Sequence, residues 1–316
     1  MRLKVMHPRS AVAILILTCI GTLGACASPA QGDIERGTGL LNANKREEAF
    51  AAFDAAVALD PQSAAAIAGR GCSRPLADTA AAIADLDRAI QLDSNNANSY
   101  RCRAEAHRVA GNLEAALADA RKALELDPSH ASTHVTLGNV LDELGRTAEA
   151  IVEYDKAIEL DPALANAYNQ RGIARNRLGD EAGAAADVDK AIELDPDYGP
   201  AYAVRANRAI ADGDCTQALA DAEKAIALDP EFPTGYGVRA LCRADAGDLD
   251  GALADADMTI DLGRIDAYAY WVRGLIRAER GDEDEARADF LRAIDLAPTA
   301  EFAAQIRTVM AEEGLD

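Results

Sequence analysis

Apolar and small residues fall at helical spacing in two short segments, and this pair of segments returns at a fixed interval from residue 30 to residue 300. The end of the second segment is the clearest marker. VALDP at Val57 returns as AIQLDS at Ala89, ALELDP at Ala123, AIELDP at Ala157 and Ala191, AIALDP at Ala225, TIDLGR at Thr259 and AIDLAP at Ala293. From Ala89 onward the step is always 34 residues; the first step is 33. A fixed period of that size means an array of structural repeats. A Gly or Asn divides the two segments at Asn44, Gly111, Gly145, Gly179, Gly213, Gly247 and Gly281. Glycine accepts the positive φ that follows a helix end, so each repeat is predicted to be a helical hairpin. Proline at Pro61, Pro128, Pro162, Pro196, Pro230 and Pro298 then opens the next repeat. The predicted architecture is all-α, in eight units: 30–63, 64–96, 97–130, 131–164, 165–198, 199–232, 233–266 and 267–300. Residues 301–316 follow, with Phe302, Ile306, Val309 and Met310 at helical spacing. They are predicted to form a helix that caps the last apolar face.

Within the units, three positions stay small. The eighth is Gly or Ala throughout, from Gly37 to Gly274, the twentieth is Ala in all eight, from Ala49 to Ala286, and the twenty-seventh is Ala or Thr. Small residues there let two helices approach closely, where larger ones would overpack. The fourth position is Tyr at Tyr100, Tyr168, Tyr202, Tyr236 and Tyr270. This pattern resembles the tetratricopeptide repeat, over about 270 residues. The resemblance implies a right-handed superhelical solenoid of helical hairpins, closed by a C-terminal capping helix. The first two units depart from it, with Asp33 and Ile67 at the fourth position. The second unit also lacks a residue near Arg74-Pro75, which predicts a shortened first helix.

One pattern needs no resemblance. The seventh position is Arg and the twenty-third acidic in most units: Arg70 with Asp85, Arg103 with Asp119, Arg171 with Asp187, Arg205 with Asp221, Arg239 with Asp255 and Arg273 with Asp289. These are predicted to bridge the two helices of a hairpin. The fourth unit has Leu137 with Glu153, and the first has Arg36 with Ala52.

Residues 1–25 read differently. Arg2, Lys4 and Arg9 precede an apolar run from Ala11 to Ala25, too short to span a bilayer comfortably. The run ends Leu23-Gly24-Ala25-Cys26, which is similar to the lipobox of bacterial lipoproteins. That resemblance implies a cleaved signal, a lipid on Cys26 and a short tether over residues 26–29. The alternative is ordinary signal cleavage after Ala25-Cys26-Ala27. With Ala27 after the Cys, the lipoprotein reading places the chain in a bacterial cell envelope, on the outer membrane and facing the periplasm. The membrane is then met through the lipid alone.

Composition narrows the function. The chain is 49% apolar and 27% charged, too apolar for a disordered chain. Its formal charge of −21 becomes −24 once Arg2, Lys4 and Arg9 leave with the signal. Such a chain lacks the basic patches that nucleic acid or anionic lipid would need. No phosphate-cradling loop, nucleophile elbow or paired acid–base motif is present, so no enzyme and no cofactor are expected. His130 and His134 have the spacing of a shared metal site, but they straddle an inter-repeat turn, and packing accounts for them better. The acidic run from Asp245 to Asp250 lacks the ligand order of a calcium loop. No metal is expected. Cys72, Cys102, Cys215 and Cys242 are an even set in an oxidising compartment, and neighbouring units suggest bridges Cys72–Cys102 and Cys215–Cys242, against four free thiols.

Function then falls to the groove. In proteins with this repeat the first helices line a concave surface, with positions two, five, nine and twelve facing it. Those positions give Arg101 and Arg108 in the third unit, Asn139 in the fourth, and Asn166, Asn169 and Asn176 in the fifth. They give Asn207 in the sixth and Tyr268 and Trp271 in the eighth. Amides can donate to and accept from an extended peptide, and Trp and Tyr are common anchors. The expectation is an adaptor that binds segments of other cell-envelope proteins. The competing reading is a scaffold that self-associates into a homo-oligomer without a peptide ligand.

Overall fold

A computed structural model of the chain describes residues 29–43, 45–75, 78–262, 267–297 and 299–315. The signal of residues 1–25, the lipidation site Cys26 and the tether lie outside these residues, except Pro29, which opens the first helix.

The described residues form seventeen α-helices and no strand. In order they are α1 (Pro29–Asn42), α2 (Arg46–Leu59), α3 (Ala64–Ser73), α4 (Thr79–Leu92), α5 (Ala97–Val109), α6 (Leu113–Leu126), α7 (Ala131–Glu143), α8 (Thr147–Leu160), α9 (Ala165–Arg177) and α10 (Glu181–Leu194). They continue as α11 (Gly199–Ala211), α12 (Cys215–Leu228), α13 (Pro233–Asp245), α14 (Leu249–Asp261), α15 (Ala267–Arg280), α16 (Glu283–Leu296) and α17 (Ala300–Glu312).

Two compact units divide the chain, one within residues 1–110 and one within residues 111–316. In the first, α1 pairs with α2 and α3 with α4, while α2 packs on α3 and α4 on α5. In the second, α6 packs on α7, and α7/α8, α9/α10, α11/α12, α13/α14 and α15/α16 are antiparallel hairpins stacked in sequence, with α17 laid on α16.

Local chemistry sets the turns. Gly145 takes φ +75°, and the turn closes with Gly145 N donating to Asp142 O and Arg146 N donating to Leu141 O. A side chain would be strained at that φ, which is why glycine returns there at the repeat interval. The next helix often begins on a carboxylate cap: Asp180 accepts from Gly183 N at 2.9 Å and Asp214 from Gln217 N at 3.0 Å.

Close packing explains the invariant small residues. Ala49, Ala116, Ala150, Ala218, Ala252 and Ala286 are fully buried. At Gly138 a Cβ would meet the Tyr154 ring at 2.4 Å. The α3 helix has only 10 residues, because Pro75 disfavours helix at the residue before it. Its loose end is tied by Arg46 of α2, which donates to Cys72 O at 2.8 Å and Arg74 O at 3.1 Å. The α17 helix buries Ile306 and Met310 against Phe290 and Ala293 of α16, as a cap must to cover the last apolar face.

The candidate interaction surface

In five hairpins the first helix is held to the second by a charged ladder. Arg171 donates from Nε to Asp187 Oδ2 at 2.9 Å and from Nη2 to Asp187 Oδ1 at 2.7 Å. Arg175, one turn on, donates to the same carboxylate at 2.7 Å. The remaining edge of Arg171 reaches back to Asp155 of the preceding hairpin at 2.6 Å, and its plane lies over Tyr168, 5.4 Å from the ring centre. Arg273 repeats every contact, with Asp289, Arg277, Asp257 and Tyr270. Arg205 with Asp221, Arg239 with Asp255, and Arg70 with Asp85 form the same forked pair. The Asp at the centre is buried in each case. The hydrogen bonds that Arg171, Arg205 and Arg273 donate to that Asp push their guanidinium pKa upward against the cost of burial. An arginine keeps its charge at any ordinary pH.

The α7/α8 hairpin breaks the pattern. Leu137 stands where Arg stands elsewhere and is buried. His134, in the tyrosine slot, meets the acid of α8 instead. Its Nδ1 lies 2.7 Å from Glu153 Oε2 and its Nε2 lies 3.1 Å from Pro128 O. The His130 ring contacts Thr133 Oγ1 at 3.0 Å, at the start of α7. The two histidines therefore serve separate partners. Among the described residues, no three metal-ligating side chains cluster.

The expected groove residues take up three different states. Arg101 and Arg108 lie in the first compact unit. Arg108 pairs with Glu105 at 2.6 Å, and Arg101 donates to Asn98 Oδ1 at 2.6 Å. Burial lowers the Arg101 pKa; the pull of Glu105 opposes this and the charge of Arg46 adds to it.

In the second unit, Asn139 accepts at Oδ1 from Tyr154 OH and from Gln170 Nε2, both at 2.9 Å. Asn169 donates to Gln170 Oε1 at 3.2 Å, and its own Oδ1 is buried without a partner. With 2% exposure, Asn169 belongs to the interior and does not face a ligand as its repeat position suggests. Asn166 accepts from Tyr198 OH at 3.1 Å. Asn176 and Asn207 are exposed. Tyr268 is 41% exposed and lies 5.4 Å from Trp271, which meets Phe302 of α17 edge-on at 6.0 Å. Trp271 thus both packs on the cap and borders solvent beside Tyr268.

Sequence reasoning missed Tyr154 of α8, Gln170 of α9 and Tyr198 in the turn before α11, which bind the amides. One signal was present for Tyr154: a tyrosine at a core position needs a hydroxyl partner, and Asn139 stands one hairpin register away.

The cysteines divide. Cys72 of α3 and Cys102 of α5 are joined, with Cα atoms 5.3 Å apart, within the span a disulfide requires. Cys215 and Cys242, for which a second bridge was expected, are free thiols in contact. Burial, and then contact with Cys215, pushes the Cys242 thiol up to about 12. It is packed among Ala206, Ala209, Ala218, Ala222 and Val238. A thiol held protonated in that setting lacks the thiolate that exchange needs.

Profiles described as tetratricopeptide repeat match residues 97–130, 165–198, 204–264 and 260–301, and one described as TPR repeat matches 138–179. No curated protein matches the chain. Among solved structures, the chain is similar to the APC/C hetero-tetramer Cut9–Hcn1, with 13% identity and a TM-score of 0.73 over 90% of this chain and 56% of that one. Yeast Tom70 aligns at 19% identity with a TM-score of 0.56, over 93% of this chain and 66% of its own. A tetratricopeptide repeat protein from Parabacteroides merdae aligns at 19% identity with a TM-score of 0.53, over 89% and 98%. The chain spans just over half of the Cut9–Hcn1 chain. At these identities the likeness is one of fold.

Proposed function

The chain is a tetratricopeptide-repeat protein, and from that premise we propose that it is an adaptor that grips segments of other proteins along the first helices of its second compact unit. Repeats of this kind are consistent with protein–protein interaction. The observation that carries the reading is the aromatic step at α15. Tyr268 is exposed, Trp271 is half-buried beside it, and Phe302 supports Trp271 from behind. A rigid, partly exposed aromatic cluster is the usual anchor of a protein interface. The exposed amides Asn176 and Asn207 can bond to a peptide backbone on earlier helices.

The lipobox supports a finer reading. Cleaved at Cys26 and lipidated, the chain would hang from the bacterial outer membrane and gather envelope proteins in the periplasm. A tether of about four residues reaches only about 14 Å at about 3.5 Å each, so the repeats would stay close to the membrane.

Photo-crosslinking in the native host tests both. A crosslinker goes at Asn207 or Trp271, with Glu223 as control, and adducts are identified by mass spectrometry. Adducts to another protein from the first two sites alone are expected. Adducts only to the chain itself, or equally from all sites, would establish the self-associating scaffold instead. Mass spectrometry of the mature N-terminus reads the lipid: an unmodified residue 26 or 28 at the N-terminus rejects the anchor.

A further inference from the structure

Among the described residues, the hairpins α3/α4, α9/α10, α11/α12, α13/α14 and α15/α16 are each bridged by an arginine–aspartate fork. In α1/α2 Ala52 leaves nothing to bridge to, and in α7/α8 the fork is replaced by His134 and Glu153. The imidazole is nearly enclosed, at 8% exposure. Both of its nitrogens meet groups that can only accept: a carboxylate at 2.7 Å and the Pro128 carbonyl at 3.1 Å. A ring that satisfies both must carry two N–H groups, and is therefore an imidazolium. This is the cation of the ladder whose charge changes near neutral pH.

We propose that His134 is a proton-operated latch between α7 and α8, and that it governs how Asn139 of α7 and its partner Gln170 of α9 are presented. The proposal rests on the reading of these helices as a binding surface. The latch and the amides share a frame. Glu153 is followed directly on α8 by Tyr154, whose hydroxyl donates to Asn139 at 2.9 Å, and Asn139 also holds Gln170 of α9. Gly138 leaves no slack against the Tyr154 ring. A change in the α7–α8 spacing at His134 is therefore felt at Asn139.

The charged groups facing the ring are few. From α8 come Glu153 and, behind it, Lys156, whose ammonium lies 2.8 Å from the other Glu153 oxygen. From the loop before α7 comes the Pro128 carbonyl. The bond to Glu153 raises the His134 pKa; burial opposes this, Pro128 adds to it, and Lys156 opposes it. The bond to His134 lowers the Glu153 pKa, again against burial. The signs give a window. A histidine raised in the folded state stabilises fully below its ordinary value, near 6.5, and that contribution is lost as pH rises through the raised value. A carboxylate lowered in the folded state contributes above its ordinary value and loses that contribution as pH falls through the lowered one. The latch is closed between the two and opens on the alkaline side. There the neutral ring keeps one N–H, and either Glu153 or Pro128 faces a bare nitrogen lone pair. Glu153 lines an open depression with Arg121, Leu137 and Val152, so the proton has a path to water.

The test uses the whole chain without ligand. NMR titration of the His134 ring should give a pKa above 6.5. Hydrogen exchange, corrected for intrinsic rates, should show α7 and α8 amides opening up to about tenfold more per pH unit between 6.5 and that pKa, for one linked proton, and levelling off above it. The α15/α16 hairpin, held by Arg273 and Asp289, is the internal control and should stay level. Glu153→Gln should return the His134 pKa to 6.5 or below. His134→Gln, which donates without titrating, should abolish the pH dependence. A His134 pKa at or below 6.5 in the unsubstituted chain, or α7–α8 exchange that tracks α15–α16 across the range, overturns the proposal. Should one substituted chain fail to fold, the other and the unsubstituted titration still decide. Because no ligand is present, these outcomes are separate from those of crosslinking.

Discussion

At the residue scale, the most demanding group is the buried aspartate. Asp187 is enclosed and takes three charge-assisted hydrogen bonds, two from Arg171 and one from Arg175. A buried pair gains little over a well-packed apolar pair, because two ions must leave water, but half a pair is costly. Arg171→Ala and Asp187→Ala should each destabilise the chain by about 3–5 kcal/mol, and the double variant by clearly less than the sum. Denaturant melts of the four chains check this; additive losses would mean independent charges. The pairing of Arg171 with Asp187 was legible in the sequence because both recur at the repeat period and face each other across a hairpin. The third edge of Arg171, on Asp155, was not, because it depends on how one hairpin stacks on the next. His134 was read as packing. Its role shows only when both ring nitrogens are seen against acceptors.

At the element scale, the stacking contact has its own register. Asp54, Asp87, Asp155, Asp189 and Asp257 each reach an arginine 16 residues further on, from the second helix of one hairpin to the first helix of the next. Where α7 offers Leu137, the corresponding residue of α6 is Arg121 and not an acid. The ladder stops at α16, where Leu291 is half-exposed and Arg307 of α17 stands 16 residues later, exposed. Leu291→Asp should therefore extend the ladder by one rung. The gain is that of a surface pair, up to about 1 kcal/mol and weakened by salt, and thermal melts at low and high ionic strength would show it. A second element-scale device compensates the shortened α3. The Cys72–Cys102 bridge closes a loop with a sequence separation of 30, which on the chain-entropy account stabilises by about 3–4 kcal/mol. Reduction should lower the protection of α3 and α5 amides in hydrogen exchange while leaving α13 to α16 unchanged. The break in α3 was legible from Pro75. The tie from Arg46 to the loose carbonyls was not, since nothing in the local sequence of α2 points to α3.

At the scale of the whole molecule, the order of the hairpins was legible because the period is strict, while the surface was not. Helix propensity and spacing decide which residues face inward, but the state of an inward amide depends on its neighbours. Asn169 and Asn207 both hold groove positions, yet one is enclosed and the other exposed. The end of the array is the place where this matters for solubility. Within the second unit each hairpin covers the apolar face of the one before it, and the last face, with Phe290 and Ala293, is covered by Ile306 and Met310 of α17. Removing residues 300–316 uncovers that face and takes Phe302 from the edge of Trp271. Trp271 is the single tryptophan of the chain, so its fluorescence reports this end alone. The truncated chain should show a red-shifted emission and a Trp271 unfolding transition at lower denaturant than the helical signal as a whole, because repeat arrays lose stability from an uncapped end inward. It should also self-associate as concentration rises, since a contiguous apolar face seeks cover. An unchanged emission and a monomer by light scattering would mean that α17 is an appendage, and that the aromatic step at α15 stands without it.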